Sequence, residues 1–319
     1  MVCLFRKSAG VVSVLLVAAA VVHAQPSSRE ACEAAHPATR GQGGKDVIWV
    51  PTPDEVVHAM LKMAKVTPQD FVVDLGAGDG RIAIAAAKDF GARSEGIEYN
   101  PEMAKLASCL AEAEGVNGKA RIVQGDIFKE DFGKATVVTM YLLPELNLCV
   151  RHRILAMAPG TRVASHQFSM GEWEPDQTAD VAYRSVYLWI VPARVDGVWE
   201  LRGGSGEPLT VDLTQTFGKV NGEIVEGTGR RPLASATLRG SDLRLSFDDA
   251  HGATRTFTGT VSGKEITGVL YGGTGGEAQV RGTLHGDLRP APWAEMPARC
   301  SRYYEQESTS SVPATGSSR

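Results

Sequence analysis

The sequence predicts an α/β domain, a parallel sheet with helices on both faces, followed by a small antiparallel all-β domain. Two observations carry this. Between Val47 and Gly197 short apolar runs alternate with stretches of helical length and spacing, the pattern of a sheet whose strands are buried on both faces. After Gly197 apolar and polar residues alternate one by one, the period of strands with one face in a core.

The first domain is expected over 47–197. Thr52 or Pro53 opens a helix whose first turn holds Asp54 and Glu55, acids favoured beside a positive helix start. "FVVDL" reads as a strand and "GRIAIAAAKDF" as a helix. "RSEGIE" is a second strand, and "NPEMAKLASCLAEAEG" a helix with Pro in its first turn and Gly115 at its end. "ARIVQGD" and "ATVVTMYL" are strands, "PELNLCVRHRILAMAPG" a helix, and "TRVASHQF" and "SVYLWIVPARV" strands. Trp189, inside the last of these, is expected in the core.

The second domain is expected over 198–300 as a barrel or sandwich. In "LTVDLTQTF", Leu209, Val211, Leu213 and Phe217 share one face; "DLRLSF", "RTFTGTV", "EITGVLY" and "AQVRGTL" repeat the pattern. Asn221-Gly222 and Ser262-Gly263 have the composition of hairpin turns. The tail 301–319 is Ser/Thr-rich and expected to be disordered.

Residues 1–24 have the make-up of an export signal. Arg6 and Lys7 precede an apolar run from Val11 to Val22, and Val22-His23-Ala24 resembles a small-residue cleavage site. The run is shorter than the roughly 20 residues of a spanning helix. A periplasmic or secreted protein is therefore expected, with an N-terminal membrane tether as the alternative. Residues 25–46 are polar and Gly-rich and are expected to form a flexible leader. Cys109 and Cys149 lie in apolar helical patterns and are expected as buried thiols. Cys32 and Cys300 flank the folded part, and a disulfide between them suits an oxidising compartment.

A net charge of −4 with no basic cluster gives no footprint for nucleic acid. The seven histidines are scattered and the cysteines lack ligand spacing, so no metal site is expected.

"DLGAGDG", residues 74–80, then raises the question of a ligand. A triphosphate loop needs Lys and Ser/Thr where Arg81-Ile82 stands. The dinucleotide fingerprint matches poorly at its third glycine, and Asp74 and Asp79 would face a pyrophosphate of like charge. A cationic ligand without phosphates fits better.

This turn resembles motif I of the class I S-adenosylmethionine-dependent methyltransferases. The resemblance extends to Glu98 at the end of the second strand and to Gly125-Asp126 after the third. It implies a Rossmann-like methyltransferase sheet and S-adenosyl-L-methionine as cofactor. It places Asp74 near the methionine ammonium, Glu98 on the ribose hydroxyls and Asp126 on the adenine amine, with Gly76, Gly78 and Gly80 in the turn. Gly76 and Gly78 would let the backbone approach the ligand without a Cβ.

"IWVPTPDEVV", "DLGAGDGRIAIAAAK", "VVTMYLLPELN" and "ASHQFSMGEW" narrow the likeness. Together they resemble the branch of the mitochondrial lysine methyltransferases that act on the ATP synthase c subunit and the adenine nucleotide translocase. This covers about residues 47–195. It implies that Pro51 and Thr52 fold over the cofactor, that Tyr141 to Asn147 line the acceptor side, and that the acceptor is a protein lysine. Trp49 is a candidate lid. Tyr141, Glu145 and His166 are candidates to take the proton a lysine must lose. The competing expectation is an exported, non-catalytic module using this fold for binding or interaction.

Overall fold

The computed structural model describes residues 28–203, 207–249, 251–273 and 276–305. The expected export signal, and the tail beyond residue 305, lie outside them. No helix among the described residues is long and apolar enough to cross a membrane.

The first domain is built on a seven-stranded sheet. Its strands are β1 (Phe71–Leu75), β2 (Arg93–Glu98), β3 (Ala120–Gln124), β4 (Val137–Met140), β5 (Arg162–His166), β6 (Gln177–Val181) and β7 (Arg184–Ile190), in spatial order β3-β2-β1-β4-β5-β7-β6. β1 to β5 run parallel, and β7 is antiparallel to both β5 and β6. The sheet is therefore mixed, where an all-parallel one was expected. "SVYLWI" is apolar because it lies between two strands, and that burial conceals its direction.

Alternate strand residues serve two cores. Val72, Val137 and Ala164 face α2 (Asp54–Met63) and α3 (Arg81–Asp89), while Val73, Val138 and Val163 face α5 (Pro144–Leu155). α4 (Pro101–Ala113) packs beside α3; Asn100 caps it by accepting the backbone N–H groups of Glu102 and Met103, with Pro101 at its first position. At the start of β1, Asp70 is bonded to Arg162, Thr136 and Thr67, which hold its carboxyl below the ordinary range although burial alone would raise it. This network ties β1 to the β4 and β5 side of the sheet.

The second domain is a nine-stranded antiparallel sheet, β8 (Gly197–Arg202), β9 (Leu209–Thr216), β10 (Lys219–Glu226), β11 (Gly229–Pro232), β12 (Ser235–Arg239), β13 (Asp242–Asp248), β14 (Thr254–Ser262), β15 (Glu265–Gly272) and β16 (Ala278–His285). It curls around one core that includes Trp199, Val211, Leu213, Phe257 and Ile266. Its two ends meet where Leu233 N–H donates to Gly222 in β10 and Ala234 N–H to Ser246 in β13.

Asn221-Gly222, expected as a turn, lies inside β10. The chain reverses at Phe217-Gly218 instead, with Phe217 at φ +53°. Tertiary packing overrides turn composition here. The Phe217 ring is buried and stacks on Trp173 of the first domain at 6.0 Å, and its carbonyl accepts from Gln215. Phe217 thereby joins the two domains. The hairpin expected at Ser262-Gly263 is present, turning at Gly263-Lys264.

The cysteines depart from expectation. Cys32 pairs with Cys109, and Cys149 with Cys300. Neither Cys109 nor Cys149 is a free thiol, and Cys32 and Cys300 do not meet. The segments around Cys32 and Cys300 dock at different places, each beside one of those helical cysteines. The stretch around Cys32 forms α1 (Arg29–Ala35), held against α4, so the described part of the expected leader, residues 28–46, is not loose throughout. The C-terminal end forms α6 (Ser301–Glu305), where Tyr303 stacks on Phe128 and the Tyr304 hydroxyl donates to the Cys149 carbonyl.

The second disulfide closes 151 residues of sequence separation. The Cys149→Ser/Cys300→Ser double variant is expected to lose about 2–4 kcal/mol of stability. Urea melts of the two proteins under non-reducing conditions check this.

Candidate active site

The C-terminal ends of β1 to β4 deliver the predicted residues to one edge of the sheet. A cavity there is lined by Asp74, Gly76, Gly78, Glu98, Asp126, Pro51, Thr52 and Tyr141, all named from the sequence.

β1 ends at Leu75, and Gly76, Gly78 and Gly80 follow with φ of +76°, +57° and +78°. These left-handed conformations require glycine. The free space at two of them goes to protein rather than to ligand. A Cβ on Gly78 would lie 2.5 Å from Trp49 Nε1, and one on Gly76 2.9 Å from Leu142. Gly80 does not line the cavity; it caps α3 and gives room to Ala107 of α4. The turn still presents its backbone, as Gly78 N–H donates to Glu98 Oε2 at 2.7 Å.

Three carboxylates set the electrostatics. Asp74 is buried, accepts one bond from the Thr139 hydroxyl at 2.7 Å, and is paired with no Lys or Arg among the described residues. Burial pushes its pKa up to about 7, and the negative charges of Glu98 and Asp79 add to this, against the Thr139 bond. Glu98 is also raised by burial, and its Oε1 accepts Asn100 N–H at 2.8 Å. Asp126 accepts Phe128 N–H and pairs with Lys45 at 2.8 Å. Asp79, which argued against phosphate, is neutralised by Arg81 through a two-point ion pair, and Arg81 donates on to the Thr52 carbonyl at 2.8 Å. Asp79 and Arg81 thus brace the segment that covers the site.

Sequence reasoning named Pro51 and Thr52 of that segment but missed the stretch just before them. Residues 41–49 form a small hairpin, in which Gly41 N–H donates to the Trp49 carbonyl and Trp49 N–H to Gln42. It covers one side of the cavity with Lys45 at its tip. The Lys45 ammonium sits 5.4 Å from the Tyr99 ring and 5.9 Å from Phe128. "GQGGKD" looked like a linker because glycines mark flexible chain and tight turns alike. Cys32, just upstream, was the available signal that this stretch is tied down.

The acceptor-side residues separate. Tyr141 lines the cavity with Leu142 and Leu146, its ring 3.8 Å from that of His166. His166 is not in the lining. It is 1% exposed, its Nδ1 meets the Thr52 hydroxyl at 3.1 Å, and its Nε2 has no partner among the described residues. Burial, with a smaller effect from Arg184, pushes its pKa down to about 4, so it is neutral at pH 7. Glu145 lies outside the lining at the start of α5, paired with Arg302 of α6 at 2.9 Å.

The cavity accepts a ligand with a cationic end. It offers a cation-seeking carboxyl at Asp74 and a two-oxygen acceptor at Glu98. Among the described residues, Arg81 and Lys45, the cations of its lining, are both engaged by carboxylates, which leaves no free charge for a phosphate. S-adenosylmethionine meets this donor and acceptor set.

Residues 74–177 match the model of the ANTKMT methyltransferase domain. A protein-lysine N-methyltransferase of Saccharolobus islandicus is 44% identical over 151 residues, which are 46% of this chain and 94% of that protein. A Mus musculus lysine N-methyltransferase named for the ATP synthase c subunit is 30% identical over 161 residues, 50% of this chain and 62% of that protein. A crystal structure of an RNA methyltransferase from Salinibacter ruber with S-adenosyl-L-homocysteine shares 46% identity, with a TM-score of 0.45 over 46% of this chain and 96% of that one. The chain belongs to the family of the ANTKMT methyltransferase domain, and it is an S-adenosylmethionine-dependent methyltransferase.

Proposed function

We propose that this protein is an exported protein-lysine N-methyltransferase. One observation carries the acceptor reading: beyond the carboxylates the cavity turns apolar, at Tyr141, Leu142 and Leu146. A neutral amine on an aliphatic stem suits such a wall, and the lysine-methylating relatives are consistent with it. The non-catalytic alternative finds no support among relatives named as enzymes.

When bound, the cofactor supplies an electrophilic methyl group on a sulfonium. Asp74 holds the ammonium end, Glu98 the ribose diol, and Tyr141 and Leu142 align the acceptor amine with the methyl group. The lysine must arrive deprotonated, at a cost of about 4–5 kcal/mol at pH 7 from a free pKa near 10.4. His166 is too weak a base to offset that, and Glu145 is engaged by Arg302 away from the cavity. In this reading the amine sheds its proton to water on entering the apolar wall, and His166 supports the Tyr141 ring and Thr52.

Two disulfides support export, since such bonds persist in oxidising compartments. Incubating the mature chain with S-adenosylmethionine and envelope proteins should add methyl groups to lysine side chains, read by mass spectrometry, faster as pH rises from 7 to 9. Label transferred to RNA and not to protein would reject the acceptor. Residues 1–30 fused to a reporter active only after export should give signal; a silent reporter rejects the compartment.

A further inference from the structure

The hairpin 41–49 makes one wall of the cavity, and on its upstream side its anchorage is slight. Upstream of it stands α1, seven residues long, whose single buried residue is Cys32. A helix this short has no stability of its own. Its other ties to α4 and its surroundings are ion pairs at the surface, Arg29 with Glu114 at 3.1 Å and His36 with Glu102 at 3.4 Å. Exposed pairs of this kind hold little. The covalent bond to Cys109 on α4 is the main tie.

What the tie holds is specific. Trp49 lies against Gly78 in the turn, and it belongs to the same apolar cluster as Cys32, Met103 and Leu106. Lys45 reaches across to Asp126. Met103, six residues before Cys109 on α4, also lines the cavity. The disulfide, the helix it grips and the wall residues thus form one connected packing unit.

We propose that the Cys32–Cys109 disulfide is a positioning element of the cofactor site, fixing the hairpin that carries Lys45 and Trp49, so that cofactor affinity depends on the oxidation state of this pair. The inference rests on the cofactor assignment above. A dithiol that reduces the bond gives two cysteine thiols and is itself closed to a disulfide, with two electrons and two protons passing to the protein. α1 then loses its anchor, and the hairpin samples conformations away from the turn. The cofactor must then order the hairpin as it binds, which weakens affinity.

The test is isothermal titration with S-adenosylhomocysteine, well below the melting temperature, with circular dichroism to verify folding. Cys32→Ser/Cys109→Ser, which keeps the second disulfide, should bind at least tenfold more weakly than the oxidised wild type. Dithiothreitol, which reduces both disulfides, should weaken the wild type and, to the same extent, Cys149→Ser/Cys300→Ser, where Cys32–Cys109 is the disulfide left among the described residues; reoxidation should restore both. Trp49→Ala in the oxidised chain should weaken binding too, and adding the cysteine substitutions to it should cost little more. A purely structural disulfide would shift the melting temperature and leave affinity unchanged. Should the double serine variant not fold, Cys32→Ala/Cys109→Ala, which puts apolar groups at a buried site, carries the test together with Trp49→Ala. Equal affinity in oxidised and reduced protein overturns this inference alone. Oxidised wild type that fails to bind at millimolar ligand overturns the cofactor assignment, and this inference with it.

Discussion

Replacing Glu98 with Ala is expected to weaken S-adenosylhomocysteine binding by about a hundredfold or more. A carboxylate has about four lone-pair sites. Two are used by close internal bonds, from Gly78 N–H at 2.7 Å and Asn100 N–H at 2.8 Å, and Tyr99 N–H is also turned toward the carboxylate. These bonds fix the carboxylate plane at the end of β2 and leave the remaining sites for a diol. Hydrogen bonds to a charged group contribute about 1.5–3 kcal/mol each, so losing a pair amounts to a factor of about 10² or beyond. The Ala variant also strips Gly78 N–H of its acceptor, loosening the turn itself. Glu98→Gln separates the two effects, because it keeps one oxygen and sets an NH2 against one of the two backbone donors. Its affinity should fall between those of the wild type and the Ala variant. Calorimetry with both variants checks this; an Ala variant within threefold of wild type would remove Glu98 from the site.

The parts of this molecule that could be read in the sequence are those whose cause is local. Apolar runs at β1 to β5 follow from burial on both faces, and the glycines at 76, 78 and 80 from three consecutive demands for positive φ. Asp74, Glu98 and Asp126 could be placed because each follows directly from where a strand ends. Features fixed by distant partners could not be read. β6 is a polar edge strand (Gln177–Val181) with little apolar signal of its own. The disulfides pair Cys32 and Cys300 each with a helix instead of with each other, a choice made by where the segments around them dock. Glu145 has the sequence position of an acceptor-side acid, but Arg302, 157 residues away, turns it to other use. Lys45 and the hairpin around it were hidden for the same reason, since only the bond from Cys32 to Cys109 shows that this Gly-rich stretch is pinned.

The two aspartates of the "DFVVD" stretch show how the site differs from the scaffold, and they lead to a second large effect. Asp70, before β1, has Arg162 as its own cation, and its carboxyl is held low. Asp74, near the other end of the strand, is buried with a hydroxyl for company and has a pKa of about 7. The ammonium group of the ligand binds the ionised form, so binding drives a proton off Asp74. Affinity for S-adenosylhomocysteine should therefore rise about tenfold per pH unit between pH 5 and 7 and level off above. The calorimetric heat near pH 6 should vary with the ionisation enthalpy of the buffer. The sign for stability is opposite. A carboxyl raised from 3.8 to about 7 on folding stabilises the free protein below its unfolded pKa, and this contribution is lost as pH rises to 7. The difference of about three pKa units corresponds to about 4 kcal/mol. Asp74→Asn keeps a neutral group in that space. It should raise the melting temperature of the free protein at pH 8, bind the ligand weakly, and lose the rise in affinity between pH 5 and 7. Unchanged pH dependence in Asp74→Asn would place the cation-binding charge elsewhere, and Glu98, the half-buried carboxylate beside it in the cavity, would have to carry it, since Asp79 is taken by Arg81.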